Sequence, residues 1–344
     1  MPTPQRLQLI SRVEQARGAR LLVYVTGDRR GFETKIATDA FPFILEHLQA
    51  FSRTSVNKIG LFLYTTGGLT NAAPGLVSLL REFTSSLSVL IPFKAHSAGT
   101  LIALGADSIV MSPSGQLTPV DPSVHSPYNP TVQSPVPGAP PQTLPISVED
   151  VVGFLHLAKT EGGLKSEPAL ASVFQELASK VHPLALGNVY RAREQIRLIA
   201  RQLLRLHMKG EPNEERIERI VSALTEQLYS HDYIIGRKEA AETLGLPVEK
   251  PNPDWDNDIQ ALYKEYENLL QLTTPYNQDV ILGEQQTATA AFVRAIIESS
   301  TQTHAFVTEK EIRRVQVTQP GVPAPIVGFQ ERVLREGWVP NATV

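Results

Sequence analysis

The sequence predicts an α/β fold that is centred on a parallel β-sheet. The apolar run 59–64 ends in a corner of small residues that includes Gly67 and Gly68, and apolar residues then recur at helical spacing over 72–83. A second apolar run, 87–92, ends in another corner of small residues and leads into an alanine-rich helical segment. Strand, corner and helix thus occur twice in succession, which is typical of neighbouring crossovers in a parallel sheet.

The remaining elements follow from the same two kinds of pattern. Continuous apolar runs bounded by turn-forming residues predict buried strands, and apolar residues three or four positions apart predict amphipathic helices. Helices are predicted over 7–17, 39–51, 72–83, 151–159, 169–181, 189–208, 214–228 and 290–299, and a single long helix or a helix hairpin over 252–276. Strands are predicted over 19–25, 107–111 and 305–307, and as short segments between 315 and 338.

A proline-rich segment separates the second repeat from the later helices. Residues 122–145 contain eight prolines. Because each proline fixes φ and removes an amide donor, this segment cannot form a central strand or a helix interior. We expect a mobile loop or a lid, and a plain surface insertion is the alternative.

Composition and charge exclude several classes of protein. At 344 residues the chain can bury a sizeable core, and a net charge of −3 with 19% charged residues offers no basic field for nucleic acid. The chain has no cysteine, which excludes disulfides, thiolate zinc sites and a cysteine nucleophile. The histidines are scattered without the spacing of a metal site, so we expect neither a metal nor a cofactor.

The sequence also leads to an expectation about localisation. Residues 1–6 lack the apolar core of a signal sequence, and no apolar run approaches the length of a membrane span. We therefore expect a cytoplasmic protein without a membrane span. The chain has no phosphate-binding Gly-x-x-x-x-Gly-Lys loop, so any unfoldase that delivers substrate would be a separate protein.

Ser97 lies where the second strand turns into its helix. Its hydroxyl is therefore expected at a helix N-terminus, and the following amide, that of Ala98, is among the donors that the first helical turn leaves free. At the other corner, Gly67 and Gly68 let the backbone approach a ligand. Together the corners can supply a hydroxyl and two amide donors, although a serine at such a position can also simply cap a buried helix.

The two corners resemble those of the ClpP/crotonase superfamily. The resemblance is carried by Thr66-Gly67-Gly68 before an alanine-containing helix, and by His96-Ser97-Ala98-Gly99-Thr100 before Leu101-Ile102-Ala103-Leu104. Over residues 20–250 the chain most closely resembles the serine dehydrogenase proteinase family, whose relatives are ClpP peptidases and SppA-type signal peptide peptidases. The resemblance implies repeated ββα units around the parallel sheet, to which this chain adds further helices and a small C-terminal α+β appendage.

This resemblance implies a serine endopeptidase that hydrolyses peptide bonds in extended or unfolded polypeptides. The hydrolysis that this chain itself catalyses is expected to require no ATP. Ser97 would be the nucleophile, and the amides of Gly68 and Ala98 would form the oxyanion hole. Strand edges beside the two corners could bind an extended peptide by strand addition. The residues expected to contact the substrate are Gly67, Leu69 and Thr118.

A serine hydroxyl needs a base that takes its proton. His182-Pro183-Leu184, before a long helix, resembles the segment that carries the ClpP histidine, and Asp232 precedes an Ala-x-x-x-Gly-Leu ending like that of ClpP-type domains. The resemblance thus implies His182 as the general base and Asp232 as the residue that orients it. SppA-type relatives use a lysine instead. The candidate lysines here are Lys165 and Lys180, and the lesser alternatives are His125 and His231. His96 adjoins Ser97, but its side chain is expected on the opposite side of the backbone if the strand continues there.

Two other functions stay open at this point. The same pair of amides can stabilise the enolate of an acyl-CoA thioester in a crotonase-like lyase or isomerase, and an incomplete triad would leave a catalytically inactive, ring-forming scaffold. We expect the peptidase domain over 1–250 and a helical and short-strand appendage over 251–344 that serves oligomerisation or substrate guiding. The expected partners are a polypeptide substrate and further copies of the chain.

Overall fold

A computed structural model of the chain describes residues 2–52, 57–120, 123–124, 126–133, 140–227, 230, 232–317, 326–340 and 342. Its helices are α1 Pro4–Arg17, α2 Phe41–Phe51, α3 Ala72–Arg81, α4 Ala98–Leu104, α5 Val148–His156, α6 Glu167–Lys180, α7 Pro183–Arg205, α8 Glu214–Ser222, α9 Arg237–Glu242, α10 Pro253–Leu269 and α11 Gln278–Leu282. Its strands are β1 Arg20–Thr26, β2 Lys58–Tyr64, β3 Ser86–Ile91, β4 Lys94–Ala95, β5 Ser108–Met111, β6 Gln116–Leu117, β7 Ser123–Val124, β8 Thr131–Val132, β9 Gln142–Thr143, β10 Ile146–Ser147, β11 Ile235–Gly236, β12 Val248–Glu249, β13 Thr287–Glu298, β14 Thr303–Val317 and β15 Ile326–Pro340.

The main sheet carries the predicted parallel core. Within the described residues it has eight strands in the order β12-β5-β3-β2-β1-β13-β14-β15. Neighbours from β12 to β1 run parallel, whereas β13, β14 and β15 continue the sheet in antiparallel pairs. The two repeats that predicted this core are β2 with α3 and β3 with α4. The predicted α/β fold around a parallel sheet is therefore confirmed.

Helices cover both faces of the sheet. Successive residues of a strand point to opposite faces, so Leu22 and Tyr24 face one core while Leu21 and Val23 face the other. The first core is closed by α2, α3, α4, α7 and α8, and the second by α1 and α10. Burial on both faces explains why these strands are continuous apolar runs rather than alternating ones.

The C-terminal segment differs from its expected form. The predicted helix over 290–299 is wrong, because these residues belong to β13, which pairs antiparallel with β1 and with β14. Alanines favour a helix locally, but two neighbouring strands here satisfy the backbone, and tertiary pairing overrides local propensity. The expected strands around 305–307 and 315–338 are present but long, with fifteen residues each in β14 and β15.

Two helices have boundaries that differ from the predicted ones. The long helix α7 begins at Pro183 rather than at 189, because His182 caps it and a proline fits the first helical position. The segment predicted over 252–276 is a single helix, α10, that ends at Leu269. Of the proline-rich segment 122–145, residues 122, 125 and 134–139 lie outside the described residues. The described part forms two short antiparallel pairs, β7 with β10 and β8 with β9.

In the part of the chain that the structure describes, no helix combines the length and the apolar character that crossing a bilayer requires.

Candidate active site

The two corners singled out in the sequence lie in direct contact. Thr65, just after β2, pairs in parallel with Ala95 of β4. Its amide donates to the Lys94 carbonyl at 2.9 Å, and its carbonyl accepts from the His96 amide at 3.1 Å. A Cβ placed on Gly67 would lie 3.0 Å from Ser97 Cβ and 3.5 Å from Ser97 Oγ. Only glycine leaves room for the corner at 67 to touch the corner at 97.

Ser97 adopts a backbone conformation that is rare for a residue with a side chain. It caps the N-terminus of α4 with φ 51° and ψ −107°. A non-glycine residue at such angles costs on the order of 1–3 kcal/mol and persists only where its surroundings hold it. Within the described residues, the half-buried Ser97 hydroxyl has no hydrogen-bond partner. A strained strand-to-helix turn with an unengaged hydroxyl is the local geometry of an exposed nucleophile.

Two backbone amides at these corners, those of Gly68 and Ala98, are the candidate oxyanion donors. Ile36 binds the first corner from one side, because its amide donates to the Gly67 carbonyl at 2.9 Å and its carbonyl accepts from Leu69 at 2.8 Å. Gly68, paired with Ile36 between these two bonds, therefore directs its own N–H and C=O away from Ile36. The Ala98 amide begins α4 and is one of its unpaired first-turn donors.

Glycine at position 68 is a steric requirement. A Cβ there would lie 2.2 Å from the Ile36 carbonyl oxygen and 2.5 Å from the Ile36 nitrogen. Threonine hydroxyls stabilise the same corner from inside the protein. Thr65 Oγ1 accepts a hydrogen bond from the Gly67 amide at 3.0 Å and another from the Thr26 hydroxyl at 2.7 Å. The corner is thus held rigid by contacts on its inner side, while Leu69 is 58% exposed on the outer side.

Thr118 was expected to contact substrate, and the structure places its side chain behind the nucleophile instead. It is 3% exposed, and its Oγ1 accepts a hydrogen bond from the Ser97 amide at 2.9 Å. The small polar residues after β5 indicate that this segment is close to the site, but they do not reveal that Thr118 binds the Ser97 amide.

His182 lies at the N-terminal end of the long helix α7. Leu203 of α7 packs beside Gly105 at the C-terminal end of α4, and Gln195 Nε2 donates to Asn71 Oδ1 at 2.9 Å beside the glycine corner. His182 precedes Gln195 by thirteen residues. At 1.5 Å per residue this places it about 20 Å further along the axis. Among the described residues, no hydrogen bond, ion pair or ring contact joins His182 to Ser97.

The surroundings of His182 explain its position. Its Nδ1 accepts from the Leu184 amide at 3.2 Å as the cap of α7, and its ring stacks on Tyr128 with centroids 4.9 Å apart. Asp232 is exposed, and its amide donates to Ser230 Oγ at 3.3 Å. No contact joins Asp232 to His182 among the described residues.

No contact joins an alternative base to the Ser97 hydroxyl among the described residues. Lys165 is exposed, and Lys180 is exposed and forms an ion pair with Glu176 at 3.7 Å. His125 and His231 lie outside the described residues. His96 adjoins Ser97 in the chain, and its Nε2 lies 3.3 Å from Gln116 Oε1.

The sequence reading missed an ionic cluster next to the site. Lys94 Nζ lies 2.7 Å from Asp28 Oδ2, and Tyr64 donates its hydroxyl to Asp28 Oδ1 at 2.9 Å. Burial, together with the Asp28 carboxylate, raises the pKa of Tyr64 above its ordinary value. Asp28 follows β1, and the carboxyl ends of parallel strands meet at one edge, so this cluster could have been anticipated from the strand assignments.

Comparison with known proteins identifies the segment that holds both corners. Residues 4–136 match the family described as ClpP-like SDH-type serine proteinase. This match confirms the predicted resemblance. The ClpP-like segment contains Ser97, Ala98 and Gly68, whereas His182 and Asp232 lie beyond it. The nucleophile and oxyanion-hole candidates are thus in the part of the chain that matches the family.

Individual relatives show similarity of different extents. An uncharacterized protein of Methanocaldococcus jannaschii is 29% identical over 221 residues, which cover 64% of this chain and 64% of the relative. A second uncharacterized protein of the same organism is 33% identical over 126 residues, which cover 35% of this chain and 42% of the relative. The chain thus spans less than two thirds of the length of either relative.

Among solved structures, one neighbour is a mutant of the 1510-N membrane-bound stomatin-specific protease. It shares 20% identity, covers 44% of this chain and 69% of its own, and superposes with a TM-score of 0.24.

Proposed function

We propose that this chain is a serine endopeptidase whose nucleophile is Ser97 and whose oxyanion hole is formed by the amides of Gly68 and Ala98. The observation that carries the proposal is the strained conformation of Ser97 in contact with Gly67. Strain of this kind is concentrated at functional sites, and a serine that merely caps a helix gains nothing from it.

The chemistry is acyl transfer in two steps. Ser97 Oγ forms a bond to the substrate carbonyl carbon while its proton passes to a base, and the carbonyl oxygen becomes an oxyanion. The two backbone amides donate to this oxyanion, and removal of such a donor in a hydrolase costs about 3 kcal/mol in the transition state. The C–N bond then breaks as the leaving amine takes the proton, and water hydrolyses the acyl-enzyme.

The substrate class follows from the outer side of the glycine corner. Gly68 directs both its N–H and its C=O away from Ile36. Because the N–H is assigned to the oxyanion hole, the C=O is the group at this residue that can pair with a further strand. An extended peptide can bind there by strand addition, with main-chain hydrogen bonds that require no particular sequence. Extended or unfolded polypeptides are therefore favoured over folded proteins.

The general base is a separate proposal. His182, oriented by Asp232, was the sequence-based candidate, but α7 places it about 20 Å along the helix axis from the level of Gln195. Lys165 lies between α5 and α6, and Lys180 is the last residue of α6. No contact joins any of these three to Ser97 among the described residues. His96 is next to Ser97 in the chain, but consecutive side chains of an extended segment point to opposite sides of the backbone.

Fluorophosphonate labelling read by intact mass tests the nucleophile. We expect wild type to gain one adduct and Ser97→Ala to gain none, because the probe reacts with an activated serine. Ser52→Ala, which removes an exposed hydroxyl at the end of α2, is the matched control and should label fully. Unlabelled wild type would reject the peptidase proposal, and binding of acyl-CoA thioesters by that protein would favour the lyase alternative.

The same assay identifies the base. His182→Ala, Lys165→Ala, Lys180→Ala and His96→Ala are labelled in parallel, together with casein-type proteolysis. The variant that slows labelling and proteolysis to the same extent, without a loss of thermal stability, identifies the residue that takes the serine proton. If His182→Ala labels at the wild-type rate, the predicted triad is wrong.

A further inference from the structure

The backbone amide of Ser97 is held by a buried threonine. Thr118 Oγ1 accepts from the Ser97 N–H at 2.9 Å and lies 3.2 Å from the Pro119 carbonyl oxygen. A hydroxyl has a single proton, so its donation to Pro119 leaves a lone pair directed at Ser97. The bond therefore has a fixed polarity, and Thr118, which is 3% exposed, is shielded from water.

A second threonine holds the first. The Thr118 amide donates to Thr100 Oγ1 at 3.1 Å, and Thr100 Oγ1 lies within donating distance of the carbonyls of Thr118, at 2.9 Å, and Ala95, at 3.1 Å. Thr100 is fully buried and belongs to the first turn of α4. The two side chains thus tie the corner before Ser97, the helix after it and the segment at 118 to one another.

The segment that presents Thr118 is itself fixed. β6 ends at Leu117, pairs in parallel with β4 and pairs antiparallel with β11. Since β4 leads directly to Ser97, the strand that carries the nucleophile and the strand that carries its support are neighbours in one small sheet. A shift of Thr118 relative to Ser97 would have to break this pairing.

We propose that Thr118, supported by Thr100, is a positioning residue that keeps Ser97 in its strained conformation. This inference rests on the proposed function. With φ at 51°, Ser97 relaxes by rotating its peptide unless a contact holds the amide in place. Such a rotation moves Oγ and reorients the following Ala98 amide, so both the nucleophile and one oxyanion donor depend on a single hydrogen bond.

Thr118→Val tests this assignment, because valine keeps the volume and removes the hydroxyl. A buried amide that loses its acceptor costs about 1–3 kcal/mol, so labelling rate and kcat should fall about 5- to 150-fold. KM for a peptide should stay within about twofold, because Thr118 does not touch the substrate. Thr118→Ser restores the acceptor and should recover the rate to within about threefold of wild type.

Thr84→Val is the matched control at the opposite end of the sheet. Thr84 is 5% exposed, and its Oγ1 accepts from the Ser86 amide at 3.0 Å and donates to the Asn57 carbonyl at 2.8 Å. Its loss should lower the free energy of unfolding as much as Thr118→Val does, with labelling unchanged. The inference is overturned if Thr118→Val labels at the wild-type rate, or if Thr84→Val slows labelling equally.

Failure of the proposed function gives a different result. If wild type itself fails to label, the peptidase proposal is rejected, and a crystal structure of Thr118→Val then decides the structural claim independently. We expect φ of Ser97 to become negative in that structure. A Ser97 that keeps its positive φ without the threonine hydroxyl would refute the positioning role.

Discussion

At the scale of single residues, the contact between Gly67 and Ser97 leaves no room for a side chain. Gly67 has φ 123°, and its missing Cβ would touch the Ser97 side chain. Steric exclusion and backbone freedom therefore require glycine at the same position for two separate reasons. Two features therefore hold Ser97, the proposed nucleophile: the absence of a side chain at position 67 and the hydrogen bond from the Ser97 amide to Thr118.

Gly67→Ala should abolish most labelling of Ser97, by about 100-fold or more, because the new methyl group would lie 3.0 Å from Ser97 Cβ and force Ser97 to shift, and because alanine is strained at this φ. Gly31→Ala is the control: its φ is 82°, and nothing lies within 4 Å of the added Cβ. It should lower the free energy of unfolding by about 1 kcal/mol through strain alone and should label normally. Equal labelling of both variants would contradict the steric argument.

At the scale of elements, a buried pair of histidines joins α2 to the C-terminal strands. His47 Nε2 lies 3.1 Å from His304 Nδ1 of β14, and His47 Nδ1 lies 2.7 Å from Ser299 Oγ. The outer nitrogen of His304 lies 3.1 Å from the Glu46 carboxylate. The two rings share one hydrogen bond, so one of the two facing nitrogens must lack a proton. If both rings were protonated, both facing nitrogens would be donors and neither would have an acceptor.

This pair makes the contact between α2 and β14 sensitive to acid. Burial and the neighbouring His304 lower the pKa of His47 to about 3, and burial also lowers the pKa of His304. Below pH of about 6.5 these two histidines therefore bind protons more readily in the unfolded chain than in the folded chain. Their contribution to the free energy of unfolding is fully present above that pH and is lost as the pH decreases.

We expect the free energy of unfolding to decrease by up to about 1.4 kcal/mol per pH unit for His47 alone between pH of about 6.5 and 3. His47→Gln should show a smaller slope in urea titrations over this range. His156→Gln, an exposed histidine at the end of α5, should keep the wild-type slope. An unchanged slope in His47→Gln would show that other groups cause the acid sensitivity.

At the scale of the whole molecule, one buried ion pair joins both ends of the chain. Arg6 of α1 binds the Glu298 carboxylate of β13 at 3.0 Å, and their side chains are 4% and 0% exposed. Tyr266 of α10 and Thr303 of β14 donate to the same carboxylate, at 2.6 and 2.7 Å. The elements α1, α10, β13 and β14 thus each contribute one residue to the hydrogen-bond network of this buried carboxylate.

Glu298→Gln should lower the free energy of unfolding by about 3–5 kcal/mol, because it removes the negative charge that the buried Arg6 guanidinium binds. Asp258→Asn is the control. Asp258 of α10 binds Arg12 of α1 at 2.8 Å, but the Asp258 side chain is 24% exposed and the Arg12 side chain is 49% exposed. Its loss should cost about 1 kcal/mol or less. Urea unfolding measures both, and similar losses would contradict the buried-charge argument.

Local patterns in the sequence were sufficient for the parallel core, the two corners and most helices. Apolar runs and helical spacing are repeated over short stretches, and Gly67, Gly68 and Ser97 stand at the junctions between them. Such features depend on neighbours in the chain, so they are visible without a structure. The candidate nucleophile and the oxyanion-hole amides belong to this part of the prediction.

Only the tertiary structure decided what depends on residues distant in the chain. β13 is a strand because β1 and β14 pair with it, although its alanines favour a helix. His182 caps α7 and stacks on Tyr128, and neither contact can be derived from the spacing of His182 and Ser97 in the sequence. The hydrogen bond from Ser97 to Thr118 is likewise a contact between neighbouring strands. Local sequence sets which conformation each segment prefers, whereas packing selects the partners that hold it.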